Sequence, residues 1–387
     1  MDFALSEELQ MLRDMARDFA AEKIAPYADE WDEKHYFPYE EVIKPMGELG
    51  FFGTVIPEEY GGNGMGWLAA SILTEEIARA SGALRVQINM QGLGCAFPIY
   101  RYGPEELKKR YIPKLVSAEY VGGFAITEPN AGSDVMAIKS TAADKGDHWL
   151  INGYKTWISN ATLADVLILY AYTDKDARGG GLSAFVIEPK NFNGITTSEL
   201  AKMGLQSSPT GELILEDTKV PKENILGKPG DGAKIVFGSL TQTRLSAAAG
   251  GVGLAQACLD AATSYCKERE QFGQPVGQFQ MNQDLIAQIT SEIEAARLMV
   301  YKAAWQKDQG QLGNTLEVAH AKYLAGEVAV KASQVAMKIL GAYGYSTEYP
   351  VARYYRDAPS IQIVEGSTNI CKWIIALDQL DIRKANR

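Results

Sequence analysis

The chain reads as a multidomain α+β protein: a helical N-terminal domain over residues 1–120, a middle antiparallel β-domain over 121–230, and a helical-bundle C-terminal domain over 231–387. Three observations predict this order. Apolar residues at steps of three and four dominate the first third, as amphipathic helices require. Short β-branched and aromatic runs separated by glycine-containing turns fill the middle. Long alanine-rich helical patterns resume after GKPGDGA.

The first helix is expected from Ser6 to about Ala25, where Leu5, Leu9, Leu12, Ala16 and Phe19 share a face. Ser6 is a candidate N-cap before Glu7 and Glu8, and Pro26 a stop. Further helices are expected near 39–49, 66–80, 88–100 and 104–117, between Pro and Gly clusters such as IPEEYGGNGMG. The runs GGFAIT, HWLING, ADVLILYAY, LSAFVIE and GELILED are strands, with DKGD, DKDARGGG and KNFNG as turns. Helices follow at 231–266, 280–310, 315–341 and 367–380, and their broad apolar faces predict packing on several sides, in a bundle or between subunits.

Composition narrows the function. Apolar content of 46%, with no run approaching the ~20 uninterrupted apolar residues of a membrane span, predicts a soluble protein. A net charge of −10 repels phosphate polymers and disfavours nucleic-acid or anionic-membrane binding. The N-terminal stretch mixes Asp, Glu and Arg into its apolar residues, unlike a secretory signal. Cys95, Cys258, Cys266 and Cys371 are scattered, which suits a reducing cytoplasm, and His35, His148 and His320 are too dispersed to suggest a metal site.

Three glycine-rich stretches resemble phosphate loops only superficially. GGNGMG and RGGGLS lack the Lys-Ser/Thr ending of a P-loop and read as turns. AGGVGLAQ follows a helical pattern rather than a strand, so close helix packing explains it better than dinucleotide binding. FAITEPNAGSDV, from Phe124, is more informative: a strand enters a loop offering Thr127, Asn130, Ser133 and free backbone N–H groups, a cradle for a polar heterocycle edge or a phosphate. YKTWISN then supplies Trp157 and Ser159 at a second strand end. In IQIVEGSTNICKW a lone carboxylate, Glu365, interrupts an apolar run; it is either a base in a dry site or an acid at a helix start.

Taken together, PEEYGG, TEPNAGSD, YKTWISN, the Arg244 of TQTR, REQFG, LGAYGYSTEYPVARYYRD and VEGSTNI resemble, in this order and spacing, the acyl-CoA dehydrogenase family. The resemblance implies helical, β and helical domains, a homotetramer, and FAD between the β-domain and the C-terminal helices. It also implies that Glu365 is the base that takes the proton α to a thioester, while the β-hydrogen leaves as hydride, which no side chain accepts. Apolar neighbours Ile361, Ile363 and Val364 are expected to raise its pKa. By the same resemblance Phe124, Thr127, Ser133, Trp157 and Ser159 hold the flavin, with Ser133 toward the pyrophosphate or thioester. Arg269, Gln271 and Phe272 reach the FAD of a neighbouring subunit, and Ser367 and Asn369 hold the adenine half of FAD. Arg244 lies near CoA and the acid, unless it is a helix-surface arginine. Lys338 and Ala342 stand where relatives carry Gln and Gly; lysine still suits a pyrophosphate. An electron-transfer flavoprotein is the expected electron acceptor.

Within the family, SGALRVQINMQGLGCAFPIYRYG resembles the glutaryl-CoA branch, in which an arginine thirteen residues before the proline of a PIY triplet binds the distal carboxylate. Arg85 has that spacing to Pro98. Either it is that ligand, or it is a surface residue at the entry to a helix. Decarboxylating relatives carry Tyr before the catalytic Glu and an acid upstream of the arginine; Val364 and IARASG offer neither. Dehydrogenation of glutaryl-CoA is therefore expected to stop at glutaconyl-CoA. The alternatives are a decarboxylating enzyme, a dehydrogenase of neutral short or branched acyl-CoA, a related oxidase, and a non-catalytic scaffold.

Overall fold

A computed structural model describes residues 4–382. Helix α1 (Glu7–Lys23) begins where Ser6 Oγ accepts from the Leu9 N–H at 3.3 Å, and it ends ahead of Pro26. The expected 39–49 helix is a π-helical turn, Tyr39–Ile43, followed by α3 (Lys44–Glu48), and a short α2 (Ala28–Glu33) precedes it unforeseen. Helix α4 (Gly66–Ala80) packs on α1. The expected 88–100 helix is divided into a second π-helical segment, Ile88–Ala96, and α5 (Phe97–Tyr102), before α6 (Glu105–Val116). Glycines make this wide segment fit. A Cβ on Gly92 would lie 2.6 Å from Phe52 O, and one on Gly94 would lie 2.6 Å from the Phe124 ring.

Eight strands follow: β1 (Gly122–Ala125), β2 (Thr141–Asp144), β3 (His148–Ser159), β4 (Val166–Tyr172), β5 (Leu182–Ile187), β6 (Ile195–Glu199), β7 (Thr210–Pro221) and β8 (Ile225–Leu226). They form one sheet, ordered β6-β7-β3-β2-β4-β5-β8 with β1 beside β4. The expectation of an antiparallel sheet needs correction, because β4 pairs parallel with both β1 and β2. Every residue of β4 is buried. A continuous apolar run such as VLILYAY is what a strand covered on both faces requires, and such strands tolerate parallel neighbours.

The C-terminal helices are α7 (Gly232–Glu268), α8 (Gln280–Asp308), α9 (Thr315–Leu340), α10 (Val351–Ile363) and α11 (Thr368–Gln379), with a hairpin of β9 (Glu270–Gln271) and β10 (Gln274–Pro275) between α7 and α8. Helix α7 is long and apolar enough to cross a membrane by length and composition, yet 78% of that apolar window is buried inside the protein. It packs against α4, α8, α9 and α10. Its AGGVGLAQ stretch is the expected close packing: a Cβ on Gly253 would stand 2.1 Å from Glu75 O. In GGNGMG, Gly61, Gly64 and Gly66 have positive φ, the turn chemistry expected there. Helix α10 was not foreseen, since Pro359 and a run of Tyr and Arg obscure the buried positions Val351, Tyr354, Ala358 and Ile361.

Candidate active site

The ends of α10 and α11 meet in a turn that holds Glu365 at φ 57° and Gly366 at φ 85°. Left-handed backbone is costly for a side chain bearing a Cβ, so the surroundings must hold it there. They do so with two cations. Arg244 Nε, from α7, donates to Glu365 O at 2.9 Å, and Lys322 Nζ, from α9, donates to Gly366 O at 2.8 Å. A Cβ on residue 366 would lie 2.9 Å from the Arg244 guanidinium, which leaves glycine as the residue that fits. Ser367 Oγ then accepts from the Ile370 N–H and opens α11.

The Glu365 side chain points inward. Asn89 Nδ2 donates to Oε1 at 3.0 Å, and the Thr243 hydroxyl donates to Oε2 at 2.5 Å. Burial lifts this carboxyl above the usual carboxylate range; the Thr243 hydrogen bond, Arg85, Arg244 and Asn89 oppose the rise without cancelling it. The direction is the one expected from sequence, but the cause differs. Ile361 is buried while Ile363 is 68% exposed, so the dry environment comes from the segments facing the turn rather than from the neighbouring chain.

Arg85 is 1% exposed, which removes the reading of a surface residue at a helix entry. Its stem lies across α7, where a Cβ on Gly250 would meet Cδ and Nε at 2.8 Å. Its Nε is buried and unpartnered. Burial pulls its pKa down to about 10, offset by the fields of Glu365 and Asp357. An unpaired buried guanidinium is expensive, and a second carboxylate delivered by a ligand would satisfy it.

A second surface is built at the ends of β1 and β3. Between Lys155 and Ile158 the β3–β7 register slips by one residue, and the bulge holds Trp157 at φ 60° with its ring 58% exposed. A bulge re-aims the side chain it carries. The neighbouring TEP loop is fixed to this strand from below: the Thr156 N–H donates to Thr127 O at 2.9 Å, and Lys155 Nζ reaches Ile126 O at 3.1 Å and Glu128 Oε1 at 2.8 Å. Ser140 and the Lys139 N–H complete the carboxylate's partners. Burial draws the Lys155 amine down to about 8 despite Glu128. The substitution Lys155→Met leaves the buried Glu128 uncompensated and is expected to destabilise the fold by about 3 kcal/mol; the midpoint of denaturant unfolding at unchanged slope measures it.

Comparison with known proteins places these features. Residues 6–119, 123–218 and 230–379 match, in turn, the N-terminal, middle and C-terminal domains of acyl-CoA dehydrogenase. The chain belongs to the acyl-CoA dehydrogenase family. It is an FAD-dependent oxidoreductase. It is 72% identical over 389 residues to a glutaryl-CoA dehydrogenase of Desulfococcus multivorans, with all of both chains covered. Among solved structures it is similar to a glutaryl-coenzyme A dehydrogenase in complex with glutaryl-CoA, at TM-score 0.98 and 71% identity, covering 100% of this chain and 98% of the other. It is similar also to a solved structure described as the electron transferring flavoprotein of Acidaminococcus fermentans, at TM-score 0.96 and 40% identity, covering 99% and 100%.

The acyl-CoA dehydrogenase cofactor fits the β-domain surface. Trp157 offers a flat, exposed wall, and beside it Thr127 and Ser159 are half-buried hydroxyls with no side-chain hydrogen bond to other described residues. Ser133 is exposed on the following loop, and Phe124 is half-buried against Gly94. Of the other predicted cofactor residues, Ser367 caps α11 beside the Glu365 turn. Arg269, Gln271 and Phe272 stand on the exposed β9–β10 hairpin, with the Arg269 guanidinium over the Tyr343 ring at 5.6 Å; Lys338 and Asn369 are exposed on α9 and α11. Val364 is half-buried at the end of α10.

Sequence reading missed Asn89, Thr243 and Lys322. Each left a trace. Asn89 lies four residues after Arg85, Thr243 immediately precedes Arg244, and Lys322 sits in the i+4 row Val318, Lys322, where the helix is otherwise apolar and buried. A fully buried lysine on a core face must have a polar partner.

Proposed function

We propose that this enzyme oxidises glutaryl-CoA to glutaconyl-CoA and leaves the distal carboxylate in place. The observation that carries the substrate assignment is Arg85: buried, unpaired at Nε, and close enough to Glu365 for each to feel the other's charge. A five-carbon diacid thioester brings its own anion to that cation, and a neutral acyl chain leaves it unsatisfied.

When bound, FAD supplies the acceptor for the β-hydride. Phe124, Thr127, Ser133, Trp157 and Ser159 hold it on the β-domain side. Glu365 takes the α-proton, and its raised pKa makes it a stronger base once substrate excludes water. The Glu365 N–H donates to no protein acceptor among the described residues, so it is free to bind the thioester oxygen as negative charge develops there. Arg244 and Lys322 hold the two carbonyls of the turn, which fixes the direction of both the N–H and the side chain.

Retention of the carboxylate is supported by the side chains at position 364 and on α4. Val364 cannot hydrogen-bond, and the acids on α4 are engaged elsewhere: Glu75 with Arg297 and Tyr301, Glu76 with Arg17. Anaerobic turnover of glutaryl-CoA, followed by mass spectrometry of the CoA esters, is expected to give glutaconyl-CoA. Crotonyl-CoA and CO2 as main products overturn this part of the reading.

The exposed hairpin residues Arg269, Gln271 and Phe272, with Lys338, are assigned to FAD contacts across subunits of a homotetramer, and Ser367 and Asn369 to the adenine half of FAD. Phe272 at 94% exposure and Tyr345 at 84% are apolar surfaces that such an assembly covers. The electron acceptor is assigned as an electron-transfer flavoprotein, in a reducing compartment compatible with four buried free cysteines.

A further inference from the structure

Glu365 must be comfortable in two states, since a base that removes a proton then carries it. The two side chains that touch its carboxylate are suited to both. We propose that Asn89 and Thr243 are positioning residues for proton transfer: both donate to the ionised carboxylate, and the one facing the oxygen that takes the proton changes from hydrogen-bond donor to acceptor. This rests on the reading of Glu365 as the base.

An ionised carboxylate only accepts, and it has one donor on each oxygen: Asn89 Nδ2 at 3.0 Å on Oε1, and the Thr243 hydroxyl at 2.5 Å on Oε2. One donor per oxygen leaves a lone pair free for the incoming proton. Once the α C–H bond breaks, its electron pair stays on carbon as the enolate and the proton sits on a carboxyl oxygen. That oxygen is now a donor, and a neighbour that can only donate would oppose it. Thr243 has an alternative: its Oγ lies 3.5 Å from Leu240 O, toward which its own hydrogen can turn, opening a lone pair to the new Glu365 O–H. Asn89 has another. Its Oδ1 is buried with no partner, and a half-turn of the amide presents it to Oε1. Rotation of a hydroxyl needs less room than an amide flip, so Oε2 is the oxygen on which the proton comes to rest. No atom leaves either neighbour, and no electrons are exchanged with them.

The other charged or titratable groups around the turn cannot do this. Arg85, Arg244 on α7 and Lys322 on α9 favour the ionised carboxylate in every state and have nothing to accept with. Asp357 on α10 acts on Arg85, and the Cys371 thiol on α11 is turned to Gly366 O.

The test measures anaerobic flavin reduction by glutaryl-CoA against pH in Thr243→Val, Thr243→Ser and Asn89→Leu. Loss of a donor to the charged form is expected to move the acid-side midpoint up by ~1 pH unit in Thr243→Val and Asn89→Leu, with the plateau about 10-fold lower. Thr243→Ser restores both. Infrared difference titration provides a second readout: the C=O band of protonated Glu365, recognised by its absence in Glu365→Gln, rises in frequency in Thr243→Val. A midpoint, plateau and band unchanged in both Thr243→Val and Asn89→Leu overturn the proposal. If Glu365→Gln is inactive while these variants behave as wild type, only this inference fails; if Glu365→Gln is fully active, the assignment of the base fails as well.

Discussion

Glu365→Gln retains the shape of the side chain and an oxygen for its neighbours, yet it is expected to slow flavin reduction by glutaryl-CoA by about 10³-fold or more, the scale at which a positioned general base acts. Glutaryl-CoA affinity should change only a few-fold, because the turn is held through its carbonyls by Arg244 and Lys322 and not through the carboxylate. Stopped-flow bleaching of the flavin under anaerobic conditions separates the two quantities. In the unsubstituted enzyme the same rate should rise with pH through a midpoint above the usual carboxylate range. The sign follows from the raised pKa: below it Glu365 holds a proton and cannot take another, and above it the base is ionised. A rate in Glu365→Gln equal to that of the unsubstituted enzyme would falsify the assignment.

Arg85→Met is the second large effect. Methionine preserves the apolar stem over Gly250 and removes the guanidinium. With glutaryl-CoA, kcat/KM is expected to fall by ~10²- to 10³-fold, since the distal carboxylate then enters a buried pocket without a partner, at a cost of about 3–4 kcal/mol. Butyryl-CoA, which brings no anion, should lose little at high pH and become the better substrate. Its acid-side midpoint should move up, because Arg85 favours the ionised form of Glu365. Steady-state kinetics with both thioesters decides the matter. Equal losses for the two substrates would make Arg85 a structural residue and reopen the neutral acyl-CoA reading.

Much of this site could be read from the chain because its chemistry is concentrated in short strings. VEGSTNI, YKTWISN and TEPNAGSD each contain a residue together with the turn that exposes it, and the Arg85-to-Pro98 spacing singles out the buried arginine proposed to meet the substrate. What escaped notice depends on tertiary approach. Asn89 and Thr243 have no local property that announces a carboxylate; they become its donors only when the π-helical segment, α7 and the end of α10 converge. The same holds for the parallel pairings of β4, which arise from connectivity rather than composition. Helix α10 was hidden by Pro359 and by polar aromatic residues whose buried face is evident only once packed. The raised pKa of Glu365 was expected in direction, but local sequence named Ile363 as a cause, and Ile363 faces outward.

The bond from Asn89 to Glu365 joins residues 276 positions apart. On a translating ribosome Arg85, Asn89 and the residues around them therefore emerge long before Glu365, tens of seconds earlier at ordinary elongation speeds. A truncated nascent polypeptide ending ahead of residue 365 carries Arg85 and Asn89 without the proposed base. Premature termination is thus expected to yield a product unable to enolise a thioester, with competence arriving abruptly, just ahead of the last helix.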